Sequence, residues 1–186
     1  MLEALAVTFF PVLFLIVLFG GGSTFRRRNI DMDGEPPIGR TIFLASKYAI
    51  VIVWAAVVAH SWGANLSFLT PPNFLRPVSL ILWVVGFLLL LAGRVGMGNS
   101  FRIGSPKETT SLKMEGLFRF SRNPMYLGVF TTLLAAVLYT FSPIILLVVI
   151  FVVVVHHKIV LAEEEYLQKS FGEEYLAYCR RVRRYI

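Results

Sequence analysis

The sequence has one cysteine, three histidines and few charges, and each shortage excludes a class of protein. The single cysteine, Cys179, excludes a disulfide framework and any multi-cysteine metal site. Only 16% of the 186 residues are charged, whereas 56% are hydrophobic. A soluble domain of this length has too small an interior for so many apolar side chains, so lipid has to act as part of the solvent. The composition therefore predicts an integral membrane protein with one membrane domain, residues 1–186.

The excess of basic residues indicates a membrane surface rather than nucleic acid. The formal net charge is +7. The Lys and Arg residues cluster just beyond apolar runs, where anionic lipid headgroups lie. We therefore expect membrane lipid as a partner and no nucleic acid.

Four apolar blocks predict the transmembrane helices. They are Leu5–Phe19, Ile42–Trp62, Val78–Ala92 and Met125–Val155. The first block follows Glu3 and has neither a basic leader nor a cleavage signal, so we interpret it as a retained helix. The fourth has no charged residue in 31 positions, and as one helix it would be about 46 Å long against a hydrocarbon core of about 30 Å. Because Pro143 lies near its middle, a tight hairpin of two helices is the alternative to one kinked helix.

The distribution of Lys and Arg favours the hairpin and sets the orientation. With five spans and the N-terminus outside, only Arg76 of the 18 Lys and Arg residues faces outwards. A single fourth helix would move the basic tail to the outer side, against the positive-inside rule. The sequence thus predicts an all-α membrane protein with five spans, an outer N-terminus and a cytoplasmic site.

The segment after the last span predicts an amphipathic cytoplasmic helix. Its apolar residues recur every three or four positions: Leu167, Phe171, Tyr175, Tyr178 and Val182. Basic residues lie off that stripe, which is typical of a helix at the headgroup boundary. We divide the domain into three N-terminal spans, residues 1–109, and a C-terminal part, residues 110–186, where the chemistry is expected.

Two possible ligand motifs are better explained as ordinary structure. The glycines from Gly93 to Gly98 follow a transmembrane helix rather than a β-strand, so we interpret them as a helix end and not as a nucleotide loop. The adjacent His156 and His157 point about 100° apart on a helix and do not readily share one metal ion. We predict no metal site.

Two polar segments are expected to meet at the cytoplasmic face because of the hairpin. One contains Arg122, Asn123, Pro124 and Tyr126, with Pro124 at a position that begins a helix. The other is the run Glu163–Glu165 directly after the last span. Acidic residues are unusual beside anionic headgroups, so a carboxylate there is a candidate for holding a cationic or hydroxyl-bearing ligand.

Taken together, these segments resemble the isoprenylcysteine carboxyl methyltransferase family, in particular its short prokaryotic members. The family pattern has L-x-x-x-G-x-[YF], then R-[HN]-P-x-Y-x-G, then E-E-x-x-L-x-x-x-F-G-x-x-Y-x-x-Y. The matching residues here are Leu112, Gly116, Phe118, Arg122, Asn123, Pro124, Tyr126, Gly128, Glu163, Glu164, Leu167, Phe171, Gly172, Tyr175 and Tyr178. The resemblance spans about residues 110–182, and the N-terminal spans match only as hydrophobic helices.

The resemblance implies S-adenosylmethionine as cofactor and transfer of its methyl group to the carboxylate of a C-terminal prenylcysteine or a similar lipophilic acceptor. By matching positions, the cofactor-binding residues would be Thr110, Ser111, Leu112, Lys113, Gly116, Phe118, Asn123, Pro124, Met125, Tyr126 and Glu163. Ile159 stands where the family usually carries Arg.

An acceptor carboxylate in a low-dielectric site needs a cation. Arg122, His157 and Lys158 are the candidate substrate-binding residues, and Arg122 is favoured because a guanidinium binds a carboxylate with two parallel hydrogen bonds. Arg122 and Glu163 are therefore the candidate catalytic residues.

Three other functions remain open at this stage. They are N-methylation of a phospholipid amine, reduction of a sterol or enone by NADPH, and a non-enzymatic role as a membrane scaffold. Binding of S-adenosylhomocysteine rather than NADPH would separate methyl transfer from the other two.

Overall fold

The structure, a computed structural model, describes residues 1–20, 38–98 and 112–186, and these ranges contain helices and no strand. A short 3₁₀ turn, Gly116–Arg119, precedes the fourth of five α-helices. The helices are α1 Leu2–Gly20, α2 Arg40–Ser61, α3 Leu75–Met97, α4 Pro124–Thr140 and α5 Pro143–Arg181. Two predicted cofactor residues, Thr110 and Ser111, lie outside the described residues, as does the predicted boundary at residue 109.

The helices have the length and apolar surface of membrane spans. Within the described ranges, α2, α3 and α5 are each long and apolar enough to cross a membrane, and the apolar parts of α1 and α4 are shorter. Large apolar side chains face outwards from them, including Ile52, Ile81 and Leu147, which are all more than 60% exposed. Such surfaces are stable only in lipid. The chain is an all-α integral membrane protein, which confirms the predicted fold class.

The apolar block Met125–Val155 is a hairpin, as predicted. Helix α4 ends at Thr140 and α5 begins at Pro143, so two residues make the turn. Phe141 adopts the left-handed conformation with φ 46°, and its N–H donates to the carbonyl of Val137 at 2.9 Å, which closes the last turn of α4. Pro143 begins α5 at a position where proline is favoured.

The predicted separate tail helix is a continuation of the last span. Helix α5 runs for 39 residues from Pro143 to Arg181, and helical geometry is interrupted only at Gly172, with φ 50° and ψ −126°. A glycine adopts this backbone without the steric cost that a side chain would add. The amphipathic segment thus begins without a loop and changes direction at Gly172.

Helices α3 and α4 pack at backbone distance because two glycines face each other. A Cβ atom on Gly128 would lie 2.8 Å from the carbonyl oxygen of Gly86 and 3.0 Å from Leu90 Cγ. A Cβ on Gly86 would lie 2.6 Å from Thr132 Cγ2. Small residues of this kind let membrane helices approach closely and gain dispersion energy. Next to this crossing, the indole N–H of Trp54 in α2 donates to the Thr132 hydroxyl at 3.1 Å.

Polar contacts lie at both ends of the helix bundle. At one end, here called the Glu3 end, the Arg76 Nη2 and Glu3 Oε2 atoms are 2.9 Å apart. The Tyr139 hydroxyl also donates to Glu3, at 2.5 Å. These contacts join α1 to the start of α3 and the end of α4. The opposite end, here called the Arg122 end, contains the polar motifs.

We expect Gly128→Ala to lower the free energy of unfolding by about 1–3 kcal/mol, because the added methyl group meets backbone that cannot move aside cheaply. Gly96→Ala is the matched control, since its Cβ would meet only Phe118 Cε2, at an ordinary 3.6 Å. That change should be neutral or slightly stabilising, because Ala favours a helix over Gly. Thermal unfolding of both variants in detergent measures the difference, and equal transition temperatures would contradict the close crossing.

Candidate functional site

A buried ion pair between Arg122 and Glu164 forms the centre of the Arg122 end. Arg122 Nε donates to Glu164 Oε1 at 3.1 Å, and Nη2 donates to Oε2 at 3.2 Å. The two side chains are only 12% and 11% exposed. The remaining nitrogen, Nη1, donates to the carbonyls of Val182 at 3.1 Å and Cys179 at 3.3 Å. All three nitrogens of Arg122 therefore donate within the protein.

The segment after α5 returns across the start of α4. The Arg122 N–H donates to the carbonyl of Arg183 at 3.0 Å. The carbonyl of Arg184 accepts from the Ser121 hydroxyl and from the Asn123 side-chain amide, both at 3.2 Å. Asn123 also donates to Glu164 Oε1, at 3.1 Å. These bonds fix residues 182–184 against the loop that precedes α4.

Glu164 is shared by a second arginine. Arg184 Nε donates to Glu164 Oε2 at 2.9 Å, and Arg184 Nη2 lies 2.9 Å from the same oxygen. The hydrogen bond to Glu164 raises the pKa of the Arg184 guanidinium above its ordinary value, so Arg184 stays charged. One carboxylate thus faces two guanidinium groups.

Glu163 has a different environment from its neighbour. Its Oε1 accepts a hydrogen bond from the Tyr126 hydroxyl at 2.9 Å, and no cation among the described residues pairs with it. The Tyr126 ring packs against a small apolar cluster of Phe43, Val155 and Ile159. The carboxylate of Glu163 therefore lies at the Arg122 end of the bundle, beside apolar packing. It can still accept further hydrogen bonds from a ligand.

The 3₁₀ turn before α4 places the aromatic side chain of Phe118 at this end. Phe118 is buried, its ring lies near Gly96 at the end of α3, and its carbonyl accepts a hydrogen bond from the Tyr178 hydroxyl at 2.6 Å. Gly116 has φ 61°, which a residue with a side chain rarely adopts, so the turn favours glycine there. The tail of α5 is thereby fastened to the turn.

The other predicted cofactor residues lie at the same end with less specific contacts. Leu112 and Lys113 are half-buried ahead of the turn. Pro124 is buried at the start of α4, and Met125 packs between α4 and α3, so close that a Cβ on Gly93 would overlap its Cγ. The structure thus places most of the predicted cofactor residues that it describes at the Arg122 end, while their binding of a cofactor stays a prediction.

The predicted substrate-binding residues differ in what they can offer. His157 Nδ1 and the Tyr185 hydroxyl lie 2.9 Å apart, and the Tyr185 ring also contacts Phe130. Burial raises the pKa of the Tyr185 phenol, so its hydroxyl stays protonated. Lys158 is exposed. The prediction that Arg122 binds the acceptor stays a prediction. Each of its three nitrogens already donates to Glu164 or to a carbonyl.

The sequence-based reasoning missed Glu164 and Arg184 as members of the site. The motif included Glu164, but only Glu163 was assigned a role. Arg184 was counted among the basic residues that set topology. The sequence offered two signals: Glu164 is adjacent to Glu163, and Arg184 lies close to Val182 in the apolar stripe of the tail. His156 is accounted for by its own helix, since its Nδ1 lies 3.0 Å from the carbonyl oxygen of Val152. Within the described ranges, no group of three His, Cys, Asp or Glu side chains is placed to hold a metal ion.

We expect Glu164→Ala to destabilise the protein by about 3–5 kcal/mol, because it leaves the buried guanidinium of Arg122 without its carboxylate. Glu165→Ala is the matched control one residue along the same helix. Among the described residues, Glu165 pairs only with Lys169, four residues away on an exposed surface, so its loss should have little effect. Thermal unfolding in detergent compares the two variants, and similar stabilities would show that the ion pair does not hold this end together.

Comparison with known proteins assigns the chain to a family. A family model described as phospholipid methyltransferase matches residues 74–174. The matched range runs from the start of α3 through Gly172 and includes Arg122, Asn123, Tyr126, Glu163 and Glu164. A search of curated proteins found no match. The family belongs to the same group of membrane methyltransferases as the isoprenylcysteine methyltransferases. Because the match covers more than half of the 186 residues, the chain belongs to the phospholipid methyltransferase family and is a membrane methyltransferase.

Proposed function

We propose that the protein uses S-adenosylmethionine to methylate the carboxylate of a prenylcysteine or a similar lipophilic molecule. The observation that carries the proposal is the position of Glu163 at the polar end of an apolar helix bundle, where no cation among the described residues pairs with its carboxylate. The family match favours methyl transfer over a reductase or a scaffold.

The residues at the Arg122 end fit the chemistry of S-adenosylmethionine. When bound, this cofactor supplies a methyl group on a positively charged sulfur, which a nucleophile displaces. Glu163 has an acceptor oxygen for a cationic or hydroxyl-bearing part of the cofactor, and the Tyr126 hydroxyl fixes the carboxylate's orientation. Phe118, Asn123 and the half-buried residues Leu112 and Lys113 would complete the cofactor pocket.

Methylation of a carboxylate explains why no nucleophile or general base is needed from the protein. A terminal carboxylate has a reference pKa of about 3.5 and is ionised at neutral pH. The protein then has to orient the acceptor and exclude water. The apolar cluster of Phe43, Val155 and Ile159 beside Tyr126 would help to exclude water from the site.

A lipid-soluble acceptor suits the surroundings of the site. The helices present apolar side chains to the membrane, so a hydrocarbon chain can stay in lipid while its polar end reaches the Arg122 end. Each buried methylene group contributes about 0.8 kcal/mol, so a prenyl chain supplies much of the binding.

Methylation of a phospholipid amine is the second candidate. The family match itself is described by phospholipid methyl transfer. All three nitrogens of Arg122 already donate within the protein, and no cation among the described residues pairs with Glu163. Both features suit a positively charged acceptor as well as a positively charged cofactor.

We expect the purified protein to bind S-adenosylhomocysteine and not NADPH in isothermal titration. Glu163→Gln should weaken S-adenosylhomocysteine binding by about 1.5–3 kcal/mol, because a charged hydrogen-bond partner is lost. Glu165→Gln is the control on the exposed face of the same helix and should bind like the wild type. Absence of binding by the wild type would overturn the proposed cofactor. Unchanged binding by Glu163→Gln would remove only the role of Glu163.

Two acceptors offered under the same conditions separate the two methyl-transfer candidates. Transfer to a farnesylcysteine analogue in detergent supports carboxylate methylation, whereas transfer to phosphatidylethanolamine supports the amine reaction. Radioactive methyl transfer into the lipid fraction measures both, and base-labile product identifies the methyl ester.

We also propose that the Glu3 end faces outwards and the Arg122 end faces the cytoplasm. The hairpin supports this orientation, since it places the basic tail and the motif around Arg122 at one end of the bundle.

Labelling from each side of the membrane tests the orientation. Phe141→Cys in a Cys179→Ser background places a thiol in the turn between α4 and α5. A membrane-impermeant maleimide should label it from outside in intact cells. Labelling only after the cells are opened would reverse the orientation.

A further inference from the structure

We propose that the Arg184 guanidinium is an anion-binding site that takes the carboxylate of a ligand at the Arg122 end. The inference rests on the proposed function, because it concerns the ligands of that reaction. Its basis is the balance of charge and of hydrogen-bond donors around Glu164.

The cluster around Glu164 has one positive charge more than its carboxylate neutralises. Arg122 and Arg184 both bind this single carboxylate. Arg122 has no nitrogen to spare, since Nε and Nη2 bind Glu164 and Nη1 binds two carbonyls. Arg184 directs only Nε and Nη2 at Glu164, and its Nη1 donates to no described residue. The excess charge and the spare donors are therefore on Arg184.

Solvent exposure also favours Arg184 over Arg122 as the residue that binds the anion. The Arg184 side chain is 36% exposed, compared with 12% for Arg122. A ligand can thus reach the guanidinium of Arg184 more readily than that of Arg122. A partly buried cation with free donors binds an anion more strongly than a solvated one, because less water screens the charge.

The backbone holds Arg184 in place before any ligand arrives. Its carbonyl accepts hydrogen bonds from Ser121 and Asn123, and the preceding residue's carbonyl accepts from the Arg122 N–H. Glu164 then fixes the guanidinium through Nε and Nη2. A donor positioned in this way costs little conformational entropy when it binds.

The other titratable groups nearby do not pair with the Arg184 guanidinium. Glu163 accepts a hydrogen bond from Tyr126 and, among the described residues, contacts neither arginine. His157 is paired with the Tyr185 hydroxyl. The site therefore offers a carboxylate at Glu163 and a guanidinium at Arg184, which suits a ligand that carries a cationic group as well as a carboxylate.

The ligand chemistry is a carboxylate, and the reaction provides two sources of it. One is the α-carboxylate on the amino-acid part of the methyl donor. The other is the carboxylate of the acceptor. A guanidinium recognises either with charge-assisted hydrogen bonds, so the experiment has to separate them.

A thermodynamic cycle compares each acid with its uncharged amide in the wild type and in Arg184→Gln. For the donor, the probes are S-adenosylhomocysteine and its carboxamide. For the acceptor, the probes are N-acetyl-S-farnesylcysteine and its carboxamide, titrated into protein saturated with S-adenosylhomocysteine. Arg183→Gln is the matched control, because the Arg183 side chain is exposed and, within the part of the chain that the structure describes, only its carbonyl accepts a hydrogen bond. Arg184→Lys retains the charge beside Glu164 and serves in place of Arg184→Gln if that variant does not fold. It should lower the preference for the acid, because an ammonium lacks the parallel donors of a guanidinium.

The wild type and Arg183→Gln should prefer one of the two acids over its amide by about 10- to 100-fold, and Arg184→Gln should lose that preference. The pair of probes that shows the loss identifies the source of the carboxylate. Because only the ratio of acid to amide is scored, a general loss of stability does not imitate the result. Equal preference in Arg184→Gln and the wild type for both pairs would overturn the anion site while leaving the methyltransferase proposal intact. No binding of S-adenosylhomocysteine by the wild type would instead overturn the proposed function itself.

Discussion

A guanidinium that is removed from water must keep a countercharge and partners for its hydrogen bonds, and this requirement organises the Arg122 end. Leaving such a group unpaired costs several kcal/mol. Glu164 supplies the charge, and the carbonyls of Cys179 and Val182 supply the remaining acceptors. These partners lie 42 to 60 residues away along the chain. One side chain thus joins the start of α4, the middle of α5 and the segment after α5.

The packing of the other helices fixes the relative positions of the elements that meet at the Arg122 end. The crossing of α3 and α4 at Gly86 and Gly128 leaves no room for a side chain, because a Cβ atom on either glycine would overlap atoms of the facing helix. The hairpin turn then fixes α5 relative to α4 through two residues. Since Glu163 and Glu164 are on α5 and Tyr126 and Arg122 are at the start of α4, the rigid hairpin sets which polar groups meet.

Most of the fold was accessible from the sequence because lipid imposes simple rules. Apolar length gives the helices, and the combination of Pro143 with the distribution of basic residues gives the hairpin. The meeting of the Arg122 and Glu163 segments follows from that hairpin.

Side-chain assignments at the site were harder, because sequence shows neither burial nor competing partners. The sequence does not show that Arg122 Nη1 donates to the carbonyls of residues 179 and 182. Adjacent Glu163 and Glu164 looked equivalent, although one faces Tyr126 and the other faces two arginines.

The bonds between residues 121–123 and residues 182–184 also set an order of events during biosynthesis. The ribosome makes Arg122 well before Val182, at roughly 5–20 residues per second, so several seconds separate them. During that interval α4 and α5 are synthesised, while Arg122 lacks the carbonyl of Val182 and Asn123 lacks that of Arg184. Lipid phosphates or water have to serve as temporary partners. The polar end therefore closes last, after the lipid-embedded helices have formed, and the emerging tail replaces those partners.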